Sequence, residues 1–182
     1  VVLTDENVNS IYGKEFSNWP VIEIGLGEKI KNLETVNYIY GRLISLNVDR
    51  SWFFVGIGGG ILTDIAGFVA STYLRGIRFG FVSSTLLSQV DASVGGKNVV
   101  NFFGLKNMLG VFNQPEFIIM DVEMLKTLPV KELGTGFAEI IKHGCIADAE
   151  MLNYIEDNIQ NALQLDKEVI EKLIYYSVVL KS

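Results

Sequence analysis

The sequence predicts an α/β fold in which a mostly parallel sheet domain is followed by the first helices of an α-helical domain. Up to residue 128, short apolar segments that end at Gly, Ser or Asp alternate with segments of helical periodicity. Such alternation is typical of βαβ units with parallel strands. From residue 129 onward only helical periodicity remains. We therefore divide the chain into a sheet domain at residues 1–128 and an incomplete helical domain at residues 129–182.

Each element follows from its local pattern. The predicted strands are a first one that ends at Asp5 and then residues 21–25, 52–57, 79–82 and 117–121. The predicted helices are residues 33–44, 61–73, 130–145, 148–160 and 166–181. In the last helix, an apolar stripe that includes Val169, Leu173 and Val178 needs a partner element, and no further element follows it. Because Val1 also lies inside a predicted strand, we expect a chain cut at both ends, with an uncovered stripe that favours non-native association.

Composition excludes several classes of function. A net charge of −6 argues against general nucleic-acid binding. The most apolar region, residues 52–69, is too interrupted by glycines and Asp64 to span a membrane. The single Cys145 cannot form an internal disulfide, which fits a cytoplasmic location. Residues 75–106 carry four basic residues and one acidic residue, a local excess that suits a small anionic ligand.

A glycine-rich turn, Gly58-Gly59-Gly60, joins the third predicted strand to a helix. Glycines there let backbone N–H groups approach a phosphate at the helix N-terminus. The spacing is not G-x-G-x-x-G, because Ile61 stands where the third glycine belongs. A phosphate site and a tight packing turn both remain open on this pattern alone.

A polar run follows the fourth predicted strand. Ser84 and Thr85 can cap a helix or donate to phosphate, and Asp91, Gly95-Gly96 and Lys97 follow. One interpretation is a capped helix followed by a loop. The alternative is a ligand site, since so many polar groups in an apolar sheet protein need partners.

Glu139, Lys142 and His143 lie at i, i+3 and i+4, hence on one helix face. Spacing alone favours a surface ion pair beside a histidine over a metal or acid/base face. Glu139 and His143 alone do not make a zinc site.

Taken in order, these segments resemble the 3-dehydroquinate synthase family. The family pattern GGGxxxDxxGFxA is matched by residues 58–70, and RG by Arg75-Gly76. TLLxQVDxSVGGK is matched by residues 85–97, KNxxGxFxxP by residues 106–115, and LxTLP by residues 125–129. GxAExxKxGxxxD is matched around Ala138-Glu139-Ile140-Ile141-Lys142. The match runs through most of residues 21–150 without large gaps.

The resemblance implies a Rossmann-like NAD-binding domain, then a helical domain that holds a divalent metal, zinc or cobalt. It implies a cytoplasmic, homodimeric lyase of the shikimate pathway in aromatic amino acid biosynthesis. The family converts 3-deoxy-D-arabino-heptulosonate 7-phosphate to 3-dehydroquinate and phosphate, by transient oxidation with NAD, phosphate elimination and aldol closure. No nucleic acid or membrane partner is implied.

The resemblance also assigns residues. Those implied at NAD are Asp5, Asn7, Glu28, Lys31, Gly59, Gly60, Asp64, Ser84, Thr85, Lys97, Lys106 and Thr127. Those implied at the phosphorylated sugar acid are Asp91, Lys97, Asn107 and Lys142, with Arg75 reaching the substrate of a neighbouring subunit. Glu139 is implied as a metal ligand, whereas its helix neighbour His143 is not.

Three departures from the family pattern matter. Ser83-Ser84-Thr85 replaces Pro-Thr-Thr but keeps a hydroxyl, and Gly104-Leu105 inverts the usual order before Lys106. The two further metal-binding histidines of the family, in a segment resembling LNxGHTxxHAxE, do not occur. We therefore expect negligible synthase activity from residues 1–182 alone.

Three alternatives remain. The first is another sugar-phosphate cyclase, such as a 2-deoxy-scyllo-inosose or valiolone synthase. The second is a glycerol dehydrogenase-like polyol dehydrogenase, against which the string QVDASVGGK argues. The third is a non-catalytic nucleotide-binding module.

Overall fold

A computed structural model, which describes residues 1–181, confirms the predicted α/β architecture. Five strands form a sheet of order β2-β1-β3-β4-β7 in which every neighbouring pair is parallel. These strands are β1 (Val2–Asp5), β2 (Val21–Ile24), β3 (Phe53–Gly58), β4 (Arg78–Ser83) and β7 (Ile118–Ile119). Each lies within the predicted segment or extends at most one residue beyond it.

The helices also follow the sequence pattern. They are α1 (Glu6–Tyr12), α2 (Leu33–Ser45), α3 (Gly60–Thr72), α4 (Val130–Ala147), α5 (Ala149–Leu163) and α6 (Lys167–Lys181). Only α1 was not predicted. Asp5 caps this helix, because its Oδ1 accepts a hydrogen bond from the Val8 backbone N–H at 3.0 Å. Within residues 1–181, none of the helices has the length and apolar character needed to cross a bilayer.

An antiparallel hairpin of β5 (Lys97–Phe102) and β6 (Leu105–Phe112) occupies a segment in which no strand was predicted. Six of the eight positions of β6 are exposed. Because a strand with little buried surface needs no alternation of apolar and polar residues, its sequence lacks the usual strand signal.

The main hydrophobic core lies between the sheet and helices α2 and α3. Phe54 and Phe81 from the sheet, Ile39 from α2 and Ile65 from α3 are almost completely buried in it. This packing fixes α3 against the sheet, so that the N-terminus of α3 lies at the carboxyl ends of the strands.

A second core joins the helical segment to the end of the sheet region. Leu86, Val90 and Leu125 pack there with buried residues of α4, α5 and α6. The apolar stripe of α6, including Val169 and Leu173, is buried in this core. The expectation of an uncovered stripe was therefore wrong. Helices α4 and α5 and the segment around Leu86, Val90 and Leu125 cover it. The core draws on both sides of residue 128, and the domain division there stays a prediction.

Helix α6 also packs on a single π-helical turn, Ser88–Ala92. This turn follows the short helical segment that begins after Ser84. π-Helical turns occur frequently at functional sites, because they change the direction in which a side chain points. Here the turn carries Asp91.

Candidate functional site

A cavity of about 710 Å³ lies at the carboxyl ends of the parallel strands; we call it the sheet-edge cavity. β1 reaches it through Asp5, β3 through Gly59 and Gly60, and β4 through Ser84 and Thr85. This is the edge at which open parallel sheets commonly bind ligands. Of the predicted cofactor residues, eight line it: Asp5, Asn7, Gly59, Gly60, Asp64, Ser84, Thr85 and Thr127.

The glycine turn has a steric reason at each of its last two positions. A Cβ on Gly60 would lie 2.8 Å from the Ala92 Cβ, and one on Gly59 would lie 3.0 Å from the Thr85 Cγ2. The chain therefore passes directly beside the segment after β4. The glycine turn thereby exposes the first turn of the 13-residue helix α3 to the sheet-edge cavity. The positive end of that helix favours a negatively charged group.

Thr85 is held in place by reciprocal hydrogen bonds with Ser88. The Ser88 N–H donates to the Thr85 Oγ1 at 3.1 Å, and the Thr85 N–H donates to the Ser88 Oγ at 3.2 Å. The Ser84 N–H donates to the Gly58 carbonyl at 2.9 Å. These bonds fix a hydroxyl-bearing turn beside the N-terminus of α3.

Two residues close the far side of the sheet-edge cavity. The Tyr12 hydroxyl donates to the Thr127 Oγ1 at 2.8 Å, and the Thr127 hydroxyl in turn donates to the Met124 carbonyl at 3.0 Å. Tyr12 lines the cavity but was not among the predicted site residues, because the family resemblance did not assign it. Burial raises the pKa of the Asp5 carboxyl in the same wall, although its bond from Val8 opposes the rise.

A second cavity, of about 680 Å³, lies between the hairpin, the π-helical turn and α4; we call it the hairpin cavity. Asp91, Lys97, Asn107 and Lys142 all line it, so the structure brings together the four residues that the resemblance assigned to the substrate. They come from the π-helical turn, β5, β6 and α4. Asp64 and Ala92 line both cavities, so the two spaces share a wall.

Asp64 forms an ion pair with Lys31, whose Nζ lies 2.5 Å from the Asp64 Oδ2. Burial raises the pKa of the Asp64 carboxyl to about 6, and the Lys31 ammonium group reduces this rise without cancelling it. A carboxyl with such a pKa in the wall of two cavities is a typical feature of a functional site.

Lys181, at the end of α6, also lines the hairpin cavity and was not predicted. Its ammonium group donates to the Asp91 carboxylate, and to the Asp91 carbonyl at 2.8 Å. Burial lowers the pKa of Lys181. A lysine at the polar end of an otherwise apolar helix stripe was the signal available in the sequence.

Glu139 lies between two basic neighbours on α4. Its Oε1 accepts a hydrogen bond from Lys142 and lies 3.2 Å from the His143 Nε2. One ligand atom each from Asp91, Glu139 and His143 lie within 4.8 Å of one another. The sequence patterns did not connect Asp91 with the other two, because that proximity depends on how α4 packs against the π-helical turn.

Five of the predicted site residues do not line either cavity, and two of them are exposed cations. Lys106 lies 3.9 Å from Glu28, with 74% of its side chain exposed. Arg75 is exposed at a sharp turn after α3, where its φ is +66°. Lys31 is buried beneath the hairpin, and Glu28 accepts a bond from Asn101 at 2.8 Å. Glu139 contacts Lys142 from behind the hairpin cavity.

Comparison with known proteins identifies the family. The 3-dehydroquinate synthase N-terminal domain model matches residues 21–135, and the C-terminal domain model matches residues 136–182. The chain belongs to the 3-dehydroquinate synthase family.

The chain is similar to several curated relatives. It is 41% identical over 189 residues to 3-dehydroquinate synthase of Saccharolobus solfataricus, and this match covers 98% of the chain and 53% of the relative. It is 45% identical over 179 residues to the Acetivibrio thermocellus enzyme, which covers 94% of the chain and 50% of that relative. The chain thus spans about half the length of the curated relatives it matches.

Solved structures give the same fold. A 2-epi-5-epi-valiolone synthase from Streptomyces hygroscopicus, with NAD+ and Zn2+ bound, superposes with a TM-score of 0.90 at 28% identity. The superposition covers 98% of this chain and 53% of that one. A 2-deoxy-scyllo-inosose synthase complexed with carbaglucose-6-phosphate, NAD+ and Co2+ gives a TM-score of 0.84 at 26% identity, over 100% of this chain and 54% of that one. A probable glycerol dehydrogenase from Sinorhizobium meliloti, at 15% identity, a TM-score of 0.70 and 99% and 57% coverage, shares the fold alone.

Proposed function

We propose that the protein is a 3-dehydroquinate synthase, which converts 3-deoxy-D-arabino-heptulosonate 7-phosphate to 3-dehydroquinate and phosphate. The observation that carries this proposal is the hairpin cavity. Asp91, Lys97, Asn107 and Lys142 come from four separate elements and line one space, next to the sheet-edge cavity. Two lysines, a carboxylate and an amide suit a substrate that carries a phosphate, a carboxylate and hydroxyl groups.

NAD is the ligand proposed for the sheet-edge cavity. The N-terminus of α3 and the hydroxyls of Ser84 and Thr85 suit its pyrophosphate, and Asp5 suits a ribose hydroxyl. When bound, NAD would supply transient oxidation of a substrate hydroxyl, which acidifies the neighbouring C–H bond. Because Asp64 and Ala92 line both cavities, the two ligands would lie next to each other, and orientation would be the main contribution of this part of the chain.

The residues around Glu139 fit a divalent cation, Zn2+ or Co2+. Carboxylate oxygens are suitable ligands for both, and one carboxylate oxygen of Asp91 lies within 4.8 Å of one of Glu139. Glu139 would hold the metal, and the metal would polarise a substrate oxygen. The ammonium groups of Lys142 and Lys97 would bind the substrate phosphate or carboxylate and stabilise its negative charge.

A homodimer and a cytoplasmic location also belong to this proposal. Arg75 is exposed and lines neither cavity of its own chain, which suits a contact with the substrate phosphate of a neighbouring subunit. The exposed Cys145 is a free thiol, as expected in a reducing compartment. Sedimentation equilibrium of the protein at the length of its curated relatives tests the homodimer. A monomer at all protein concentrations would exclude it.

Isothermal titration with NAD tests the cofactor site on residues 1–182. We expect saturable binding to the parent chain and at least about tenfold weaker binding to Asp5→Ala, which lacks the proposed ribose contact. Lys14→Ala, at an exposed position outside the sheet-edge cavity, is the control. Equal affinities in the two variants would contradict the site.

Phosphate release distinguishes the proposed synthase from the alternative cyclases. It is measured with the protein at the length of its curated relatives, with NAD and Zn2+ present. Release from the heptulosonate 7-phosphate is expected, with little or none from glucose 6-phosphate. The reverse preference would favour an inosose synthase, and hydride transfer to a simple polyol without phosphate release would favour a dehydrogenase.

A further inference from the structure

Lys31 is a buried cation that joins three parts of the chain. Only 6% of its side chain is exposed. Its ammonium group donates to the Asp64 carboxylate at 2.5 Å and to the Asn107 Oδ1 at 2.6 Å. Asp64 belongs to α3, and Asn107 belongs to β6 of the hairpin.

The backbone around Lys31 is bonded to the hairpin as well. The Asn101 N–H donates to the Lys31 carbonyl at 2.8 Å, and the Asn101 side chain donates to the Glu28 Oε1 at 2.8 Å. The Asn107 N–H in turn donates to the Asn101 Oδ1 at 2.8 Å. Lys31 therefore lies at the centre of a connected polar network between the sheet domain and the hairpin.

This network connects the two cavities although Lys31 lines neither of them. The segment before Lys31 borders the sheet-edge cavity at Gly27 and Ile30. Asn107 borders the hairpin cavity, and Asp64 borders both. Asn107 has a φ of +54°, a left-handed conformation that asparagine adopts more readily than most other residues, and both its side-chain oxygen and its backbone N–H are bonded within this network.

We propose that Lys31 is a positioning residue that aligns the hairpin cavity with the sheet-edge cavity by holding Asn107 of the hairpin against Asp64 of α3. The assignment of ligands to these cavities rests on the proposed function, but the alignment itself does not. Without the ammonium group, Asn107 would lose the donor to its side-chain oxygen, and the hairpin would lose a direct bond to α3. Lys31 would therefore affect ligand binding in the hairpin cavity from a position outside it.

The first test measures amide hydrogen exchange in Lys31→Met without ligand. We expect the amides of Asn101 and Asn107 to exchange at least about tenfold faster than in the parent, and the amides of β3 and of the middle of α3 to keep their protection. Lys29→Met is the matched control, since Lys29 is an exposed lysine two residues away. Hairpin exchange equal to that of the control, in a folded Lys31→Met protein, would overturn the proposal.

The double variant Lys31→Met/Asp64→Asn distinguishes a positioning role of Lys31 from simple neutralisation of the Asp64 charge. It also replaces Lys31→Met in the exchange measurement if the single variant does not fold. Removal of both buried charges avoids an unpaired carboxylate, so thermal stability is expected to recover relative to Lys31→Met. Exchange of the hairpin amides is expected to remain fast, because the bond to Asn107 is still absent. Recovery of hairpin protection would mean that Lys31 only neutralises Asp64, and would refute a positioning role.

Inorganic phosphate serves as the probe of the hairpin cavity. We expect its affinity to fall at least about fivefold in Lys31→Met and to change less than twofold in Lys29→Met. An unchanged affinity in Lys31→Met would count against the proposal. If the parent chain binds neither phosphate nor NAD, the proposed function fails, while the exchange measurements still decide the role of Lys31.

Discussion

The ammonium group of Lys181 is bonded to Asp91, which lies 90 residues earlier in the chain. It donates to the carboxylate and, at 2.8 Å, to the backbone carbonyl of the same residue. The last residue of α6 is thereby bonded to the π-helical turn that carries a proposed substrate contact. The helical segment thus completes the wall of a cavity that begins in the sheet domain.

Lys181→Met is expected to weaken binding of inorganic phosphate about tenfold at pH 7. The substitution removes one cation from the cavity and leaves the Asp91 carboxylate without its partner, so that Asp91 repels the anion. The measurement is isothermal titration. Lys167→Met is the control, since Lys167 is an exposed residue at the other end of α6. Equal phosphate affinity in the two variants would exclude Lys181 from the anion site.

Ionisation of Asp64 is expected to lower the free energy of unfolding as the pH rises from about 4 to above 6. Its pKa is raised from 3.8 to about 6 in the folded state, so the folded state binds the proton more tightly than the unfolded state. The stabilisation is therefore complete below pH 4 and is lost as the pH rises through about 6, and it amounts to about 3 kcal/mol. Urea unfolding at pH 4.5 and pH 7 measures about 2 kcal/mol of this stabilisation, because the remainder is already lost at pH 4.5.

Asp64→Asn is the comparison for this pH dependence. Asp5 and the other carboxyls titrate in both proteins. The difference between their two losses of unfolding free energy therefore gives the contribution of Asp64. The parent should lose more stability than Asp64→Asn between the two pH values. Identical losses would mean that the Asp64 pKa is not raised.

Gly60→Ala is expected to destabilise the fold by about 1 to 3 kcal/mol and to weaken NAD binding. The new Cβ would lie 2.8 Å from the Ala92 Cβ, so the glycine turn or the π-helical turn must move. Thermal unfolding and NAD titration measure the two effects.

Gly41→Ala is the matched control for Gly60→Ala, because nothing lies within 4 Å of a Cβ at this helical position in α2. It is expected to stabilise the protein by up to about 1 kcal/mol. A neutral Gly60→Ala would indicate that the close approach at the glycine turn relaxes without cost.

In the protein at the length of its curated relatives, Glu139→Gln is expected to weaken Co2+ binding at least about tenfold, since it replaces a charged oxygen ligand with a neutral one. The absorption bands of bound Co2+ give the affinity directly. The control is Glu123→Gln, which removes a carboxylate from a similar i,i+3 pair with Lys126.

His143→Asn provides the second comparison in the metal experiment. The family resemblance predicts that His143 is not a ligand, so its substitution should weaken Co2+ binding less than Glu139→Gln does, although its Nε2 lies 3.2 Å from the Glu139 Oε1. A loss equal to that of Glu139→Gln would make His143 a ligand and refute that prediction. No effect of Glu139→Gln would refute the metal assignment itself.

The repetitive elements were predictable because their signals are local. Strand β3 and helix α3 follow directly from a short apolar run, a glycine turn and helical periodicity. The hairpin was missed because β6 is mostly exposed, and α1 because seven residues are too short for a clear period. Each element still adds a buried residue to a core, Val100 from β5 and Val8 from α1, but one such residue does not create a recognisable pattern.

The candidate site was only partly predictable. The order and spacing of the motifs predicted four substrate residues, Asp91, Lys97, Asn107 and Lys142. No local pattern indicates that the π-helical turn, the hairpin and α4 line one cavity. The burial of Lys31 and the reach of Lys181 to Asp91 were not visible either, since a lysine in a sequence usually indicates an exposed position.

The sequence by itself determined the fold class, the family and the chemical types of residue available to bind an anion and a dinucleotide. Those properties depend on local periodicity and on motifs that can be recognised without coordinates. Only the tertiary structure decided which charges are paired, which carboxyl keeps a raised pKa and which elements cover the stripe of α6. The physical reason is that burial and ion pairing depend on distances between residues far apart in the chain, and packing alone sets those distances.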